Sequence, residues 1–440
     1  MARVDRLHIG IFGRINAGKS TLMNVLTQQQ TSIVDPTPGT TADIKAAVME
    51  IHSLGPVKIL DTAGLDEGNV LGAKKRDKTL SALEQVDIAV LVVDPVQTLQ
   101  SGDLTIEEQV ANTSRRLGQS LVMLCNLHAD HESRLQACGA TLEQALDHCK
   151  SALPDRAGTP FLVTDLTQRG ALEAVIELLG KGRPSPQKPV QLLPFVGGSA
   201  PVLLHIPLDE ESPSHRLLRP QEMAIEALLR LRVPVAVTRV DLKLARTGNA
   251  LMQTREKDKF LRFFNMLGGE GGVQLVLTDS QAIDLMHAWL PALVPLTTFS
   301  VMMIHQSCGG DLALFAEGTR VLGTLRPGDR VLIAEACNHD RMAEDIGTVQ
   351  IPKKLEQRIP GIHIDHAFGR EFPDPQNLRA YRLVIHCGGC MISKQQASAR
   401  ISRLVEATVP VSNYGLTLAW LESATALERV LRPWLPNSSK

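Results

Sequence analysis

The sequence predicts an α/β protein. A P-loop GTPase domain comes first, then a small Rossmann-like α/β dimerisation domain, then a C-terminal α/β domain built to hold a metal cluster. Three observations predict this. Apolar runs that read as buried strands alternate with helical patterns along the chain, the signature of parallel sheets covered by helices. A Gly-x-x-x-x-Gly-Lys-Ser stretch follows the first of those strands. A Cys-x-His pair and a His-Cys-x-x-Cys group each follow a later one.

The 440 residues allow about two to four domains, and a hydrophobic content of 44% is enough for ordinary cores. The formal net charge is −1, which gives no general reason to expect a polyanion partner. Nucleic acid and membrane are both unexpected partners, since no apolar run reaches the roughly 18 residues of a membrane span. No charged segment precedes a long apolar core, so no signal peptide is expected. Seven cysteines in a chain of this size are not a disulfide framework. A cytoplasmic, reducing location is expected, where clustered cysteines point to metal or catalysis.

The first domain is expected over residues 1–180. Leu7 to Phe12 reads as a strand and Thr21 to Leu26 as a helix. Between them, Gly13-Arg14-Ile15-Asn16-Ala17-Gly18-Lys19-Ser20 fits the phosphate-binding loop. Its glycines let the backbone wrap around phosphate oxygens, and the amides with the helix N-terminus supply partial positive charge. Asn16, Ala17, Gly18, Lys19, Ser20 and Thr21 are the candidate nucleotide-binding residues. Lys19 is expected on the β/γ-phosphates and the Ser20 hydroxyl on Mg²⁺. Val57 to Leu60, Ile88 to Val93 and Leu121 to Cys125 read as further strands, and Lys78 to Gln85 as a helix. Asp61-Thr62-Ala63-Gly64 lies at the carboxyl end of a strand, where ligands of open α/β sheets gather. It fits the Asp-x-x-Gly pattern of GTPases, with Asp61 near Mg²⁺ and the Gly64 amide facing the γ-phosphate. Pro38-Gly39-Thr40-Thr41-Ala42-Asp43 supplies Thr40 and Thr41, either of which can close the Mg²⁺ site when a γ-phosphate is present. Lys19, Thr41, Asp61 and Gly64 are the catalytic candidates.

GTPases read guanine with Asn-Lys-x-Asp, the aspartate accepting two N–H bonds from the base. Here the corresponding stretch is Asn126-Leu127-His128-Ala129-Asp130. The asparagine is present, leucine replaces lysine, and the aspartate arrives one residue late. Asn126 and Asp130 are the base-binding candidates. The final motif, usually Ser-Ala-Lys, reads Thr164-Asp165-Leu166.

Gly39-Thr40-Thr41, Asp61-Thr62-Ala63-Gly64 and Asn16 together resemble the TrmE–Era subgroup of GTPases. The resemblance implies that Asn16 helps hold a K⁺ ion that assists hydrolysis. Leu65 stands where Ras-like enzymes carry a water-orienting glutamine, so slow, cation-assisted hydrolysis is expected.

Residues 181–192 are proline-rich and basic and read as a linker. A second α/β unit is expected over residues 193–294. Val202 to Ile206, Val235 to Thr238 and Val273 to Leu277 read as strands, with helices over Gln221 to Leu231 and up to about Leu267. It has no phosphate loop and no convergent catalytic set, which suits a self-association module. Thr278-Asp279-Ser280-Gln281-Ala282 reads as a helix cap more readily than as a ligand site.

The last domain is expected over residues 295–440. Cys337-Asn338-His339 follows the strand Val331 to Ala334, and His386-Cys387-Gly388-Gly389-Cys390 follows Leu383 to Ile385. A parallel sheet would bring the two groups together. Three cysteines with a histidine suit structural zinc; three cysteines with an exchangeable fourth ligand suit a [4Fe–4S] cluster. Cys125 reads as core, Cys138 and Cys149 as structural helix residues, and His363 and His366 as groups supporting the metal ligands or, at least as readily, as solvated or capping side chains.

With the TrmE–Era-like first domain and the site-free middle unit, Cys-x-His and His-Cys-x-x-Cys give the chain a resemblance to the HydF family of [FeFe]-hydrogenase maturation GTPases. That resemblance implies a [4Fe–4S] cluster on Cys337, Cys387 and Cys390, a fourth position held loosely by His339, by His386 or by a group the sequence does not reveal, and homodimerisation through the middle domain. It further implies a scaffold and carrier that receives a diiron unit from radical-SAM maturation enzymes and delivers it to the [FeFe]-hydrogenase apoprotein, with GTP turnover regulating those contacts. The alternative is a potassium-assisted GTPase of RNA or ribosomes with a structural zinc site. The net charge of −1 and an aromatic content of 3% argue against a stacking platform for RNA. A redox enzyme using the cluster for electron transfer is a third reading.

Overall fold

The computed structural model describes residues 6–27, 45–62, 82–184, 190–207, 217–336, 345–369, 372–390 and 392–435. The chain divides into two compact units, Met1–Lys188 and Pro189–Lys440.

The first unit is a six-stranded sheet: β1 (Leu7–Phe12), β2 (Lys45–Ile51), β3 (Gly55–Asp61), β4 (Ile88–Val93), β5 (Ser120–Asn126) and β6 (Phe161–Thr164), in the order β2-β3-β1-β4-β5-β6. β2 runs antiparallel to β3 and the other pairs are parallel. The strands alternate their side chains between two apolar layers. Ile9, Ile11, Val90 and Val92 join Leu22, Leu26 and Leu178 on one face. Phe12, Leu91, Val93, Met123 and Cys125 join Val110 and Cys149 on the other. Burial on both faces explains the unbroken apolar runs in the sequence. β2 is an edge strand whose lysine and glutamate broke the apolar pattern, and it was not expected.

The second unit holds two four-stranded parallel sheets. β7 (Val202–His205), β8 (Val235–Thr238), β9 (Leu275–Thr278) and β10 (Leu296–Thr298) have the order β10-β9-β7-β8. β11 (Arg330–Glu335), β12 (His363–Phe368), β13 (Leu383–His386) and β14 (Val411–Asn413) have the order β12-β11-β13-β14. One continuous core joins the sheets, running from Leu203, Phe260 and Val276 through Val301 and Ile304 to Val331, Ile385 and Leu418. The expected boundary after residue 294 falls just before β10, which completes the first of these sheets. Three residues, two of them threonine, were too short a run to read as a strand. The last helix, Ala424–Leu431, is tied back to this sheet: Arg429 donates to the Val294 carbonyl at 2.9 Å, and Trp434 Nε1 to Thr297 Oγ1 at 2.7 Å. Asp279 accepts from the Gln281 amide at 3.2 Å and caps the short turn before Ile283–Trp289, as the cap reading expected.

Candidate functional site

The phosphate loop connects β1 to the helix Lys19–Thr27. Gly13 has φ +147° and Gly18 φ +106°, and Asn16 is left-handed at φ +62°. Side chains are excluded at both glycines. A Cβ on Gly13 would lie 2.2 Å from the Val92 carbonyl oxygen, and one on Gly18 would lie 2.4 Å from Asn126 Nδ2. Asparagine tolerates the left-handed region better than other side chains, which suits it to position 16. Lys19 Nζ donates to the Arg14 carbonyl at 2.6 Å. Ser20 Oγ donates to Asp61 Oδ2 at 3.2 Å, so the two groups expected around Mg²⁺ are neighbours. β3 delivers Asp61 opposite Ile11 of β1, and the Thr62 hydroxyl fixes the chain beyond it on the Ile11 carbonyl at 2.7 Å. Ala17 is buried in the loop, and Thr21 lies in the first turn of the helix that follows it.

Two residues that the motif did not single out hold this loop. Arg14 is buried and forks onto Glu107 of the helix Thr105–Arg116, at 2.9 and 3.0 Å, and onto the Asp103 carbonyl at 2.7 Å. Desolvation works against the Arg14 charge, but its acidic partners raise its pKa overall. In the linear sequence Glu107 looks like one more charge on a polar helix, so nothing there marks the pair.

Asn126 at the end of β5 lies behind the same loop. Its Nδ2 donates to the Ala17 carbonyl and its Oδ1 accepts from the Leu166 amide, each at 3.2 Å. The asparagine is thus a brace between the phosphate loop and the loop after β6. Asp130 is elsewhere: its side chain is 63% exposed and lies 3.6 Å from Arg134. Arg134 is held by Asp94 at 2.8 Å. Thr40, Thr41 and Gly64 lie outside the described residues.

In the second unit, β11 and β13 run side by side with Ala334 opposite His386. Cys387 lies at the end of β13. Its sulfur accepts the Ala336 amide at 3.1 Å and the Gly389 amide at 3.4 Å. Gly389 has φ +69°, so the Gly-Gly turn can present both cysteines with an amide free for sulfur. Burial pushes the Cys387 thiol up to about 11, against the pull of those two amides. Burial also pushes Cys390 up, against the nearby charge of Arg219. Arg219, at the start of the helix Arg219–Arg230, fixes the turn by donating to the Cys390 carbonyl at 2.8 Å. Buried thiols with raised pKa values, cradled by amides, become thiolates when a cation compensates their charge. This donor chemistry fits a thiolate-bound metal or cluster.

His386 has both ring nitrogens engaged. Nδ1 is 2.7 Å from the Cys387 carbonyl, and Arg400 Nη1 donates to Nε2 across 3.2 Å. Burial, with Arg400 beside it, lowers its pKa to about 3, so the ring is neutral. In this arrangement His386 is a strut of the cysteine turn, with no ring nitrogen left for a metal. His366, on β12, lies 3.2 Å from the Gly347 carbonyl and stacks on Phe368; His363 is exposed. Cys337 and His339 lie outside the described residues. Cys125 is buried at the end of β5, Cys149 is buried in the helix Leu142–Ser151, and Cys138 is exposed at the end of the helix His131–Ala137.

A doubly covered sheet with a braced phosphate loop, followed by two small parallel sheets and a cysteine turn, defines a P-loop GTPase fused to further α/β domains. Comparison with known families agrees. The 50S ribosome-binding GTPase model matches residues 8–126, the hydrogen maturase F dimerization domain matches residues 195–307, and the hydrogen maturase F tetramerization domain matches residues 313–433. The chain belongs to the hydrogen maturase F family, whose two domain models together match more than half of its length. Among curated relatives, GTPase Der of Brucella anthropi is 30% identical over 177 residues, covering 40% of this chain and 34% of that protein. GTPase Der of Nitratiruptor sp. is 33% identical over 118 residues, covering 27% and 24%. The chain therefore spans about a quarter to a third of the length of these relatives. Among solved structures, Era of Aquifex aeolicus bound to GDP·AlF4⁻ has 18% identity and a TM-score of 0.32, over 54% of this chain and 95% of that one.

Proposed function

We propose that this chain is a GTP-hydrolysing scaffold and carrier for assembly of the diiron unit of [FeFe]-hydrogenase. Lys19, Ser20, Thr21 and Asp61, with Thr40, Thr41 and Gly64, serve GTP and Mg²⁺, and Asn16 serves K⁺ in a slow, cation-assisted hydrolysis. Cys337, Cys387 and Cys390 hold a [4Fe–4S] cluster. Three thiolates leave one iron open, the position where an incoming diiron unit could attach through a bridging ligand. The fourth ligand is exchangeable, and His339 is the remaining histidine candidate once His386 is spent on Cys387 and Arg400. Radical-SAM maturation enzymes supply the cargo, the hydrogenase apoprotein receives it, and nucleotide-dependent switch loops bias those contacts. The chain works as a homo-oligomer in the cytoplasm. No helix among the described residues is long and apolar enough to cross a membrane.

The observation that carries this reading is the Cys387 sulfur, half-buried at the end of β13 with two backbone amides donating to it. Metal and acid-labile sulfide content of protein reconstituted without oxygen tests it. About four irons and four sulfides per chain are expected, lost in each of Cys337→Ala, Cys387→Ala and Cys390→Ala. One zinc, no sulfide and no visible colour would leave a GTPase with a structural metal and remove the carrier role.

A further inference from the structure

The base end of the nucleotide site departs from what guanine selection needs, and the structure shows how far. Selection rests on one carboxylate accepting two N–H bonds from the base, three residues after the bracing asparagine. Asn126 is the brace here. The residue three positions on is Ala129, which carries no acceptor, and Leu127 replaces the lysine. Asp130 cannot stand in by turning a rotamer. Its carbonyl already accepts the Arg134 amide at 3.1 Å and the Ser133 hydroxyl at 2.8 Å in the first turn of a helix. The turn before it is closed by the His131 amide on the His128 carbonyl at 2.9 Å. From that backbone its side chain points to solvent beside Arg134, which is itself anchored on Asp94.

The loop after β6 changes in the same sense. Its Leu166 amide is spent on Asn126. Asp165 puts a carboxylate there, bonded to the Thr167 amide and hydroxyl and to Gln168. A negative charge at this loop opposes the carbonyl oxygen of guanine and tolerates an exocyclic amine. The phosphate end keeps Gly13, Gly18, Lys19, Ser20 and Asp61.

We infer that this site does not select guanine and takes purine nucleoside triphosphates, ATP as well as GTP, through their phosphates. The inference rests on the nucleotide-site reading above. A pocket built to hydrogen-bond a group discriminates strongly against analogues lacking it; a pocket without that acceptor does not. Leu127, Ala129 and Asp165 are therefore the specificity-determining positions.

The test is displacement of a fluorescent GTP analogue from the full chain with Mg²⁺, by GTP, ATP and XTP in turn. GTP and ATP are expected to compete within about threefold of each other. The double variant Leu127→Lys/Ala129→Asp is expected to favour GTP over ATP by about tenfold or more. Asp130→Asn is expected to produce no swing toward XTP. A preference of the unsubstituted chain for GTP of about a hundredfold or more, or a swing toward XTP in Asp130→Asn, overturns the inference. The ratio for the unsubstituted chain decides even where the double variant fails to fold. A folded double variant with no gain for GTP overturns the assignment of those two positions. Failure of the phosphate-site reading looks different: no nucleotide binds in a way that Lys19→Ala weakens, whatever the base.

Discussion

Asn126 shows what a single buried side chain does here. Its two bonds tie the phosphate loop at Ala17 to the loop after β6 at Leu166. Asn126→Ala removes both and leaves a buried carbonyl and amide without these partners, a cost of about 2 kcal/mol. The same change frees Ala17 to move, so nucleotide affinity is expected to fall about tenfold or more. Thermal unfolding with and without Mg²⁺–GTP reads both effects; a variant unchanged in both would show that the brace is idle. His205 gives a pH-dependent prediction. Burial at the end of β7 lowers its pKa from 6.5 to about 4; its Nδ1 lies 2.8 Å from Thr278 Oγ1. Between those values the unfolded chain binds the proton and the folded chain does not. The stability from His205 is thus complete above pH 6.5 and is lost as pH falls toward 4, at up to about 1.4 kcal/mol per pH unit. The fall in melting temperature over that window is expected to be shallower in His205→Asn. Equal slopes would assign the acid sensitivity to other groups, of which His386 is one.

At the scale of elements, Gly318 decides whether the helix Ala313–Val321 can lie on β14. A Cβ there would meet the Val411 carbonyl oxygen at 2.0 Å and its nitrogen at 2.7 Å. Alanine in a helix normally gains up to about 1 kcal/mol over glycine. Against rigid backbone the overlap costs about 3 kcal/mol, so the clash wins. Gly318→Ala is expected to melt roughly 5 °C or more below the parent. Gly323→Ala, where a Cβ meets nothing within 4 Å, is the control and is expected to melt no lower. A Gly318→Ala protein as stable as its control would mean that the helix can lift without cost. None of this is visible in the sequence, where both glycines look alike. What was legible there was periodic or punctuated. The apolar strands β1, β4, β5, β7, β11 and β13 announce themselves because both faces are buried. The phosphate loop does so because its glycines and lysine have one spacing. β12 was missed because His363, Asp365 and His366 lie on an edge strand and broke its apolar pattern. The role of His386 was missed because the motif is identical whether the ring serves a metal or, as here, the Cys387 carbonyl and Arg400.

At the scale of the whole molecule, the family models of dimerization and tetramerization domains direct attention to uncovered apolar surface. β8 pairs only with β7 among the described residues and forms an edge of its sheet. Val237 on that strand is 49% exposed, and Leu229 and Leu231 at the end of the preceding helix are 63% and 42% exposed. At the other edge β10 carries the helix Ala424–Leu431 and Trp434. An open edge with apolar neighbours is a pairing surface unless charge blunts it, and β8 carries no lysine or glutamate. In the portion matched by the tetramerization model, Val405 is 59% exposed on the helix Lys394–Ala407. Two separate patches imply two separable steps of assembly. Val237→Lys is expected to abolish the dimer, and with it any larger form, in light scattering behind size exclusion. Val405→Lys is expected to stop at the dimer. Nucleotide binding should persist in both, since neither residue belongs to the phosphate loop or its brace. A tetramer that survives Val237→Lys would place the first contact elsewhere. A monomeric parent would mean that these faces await a different protein, and the apolar edge of β8 would then be the surface on which to seek it.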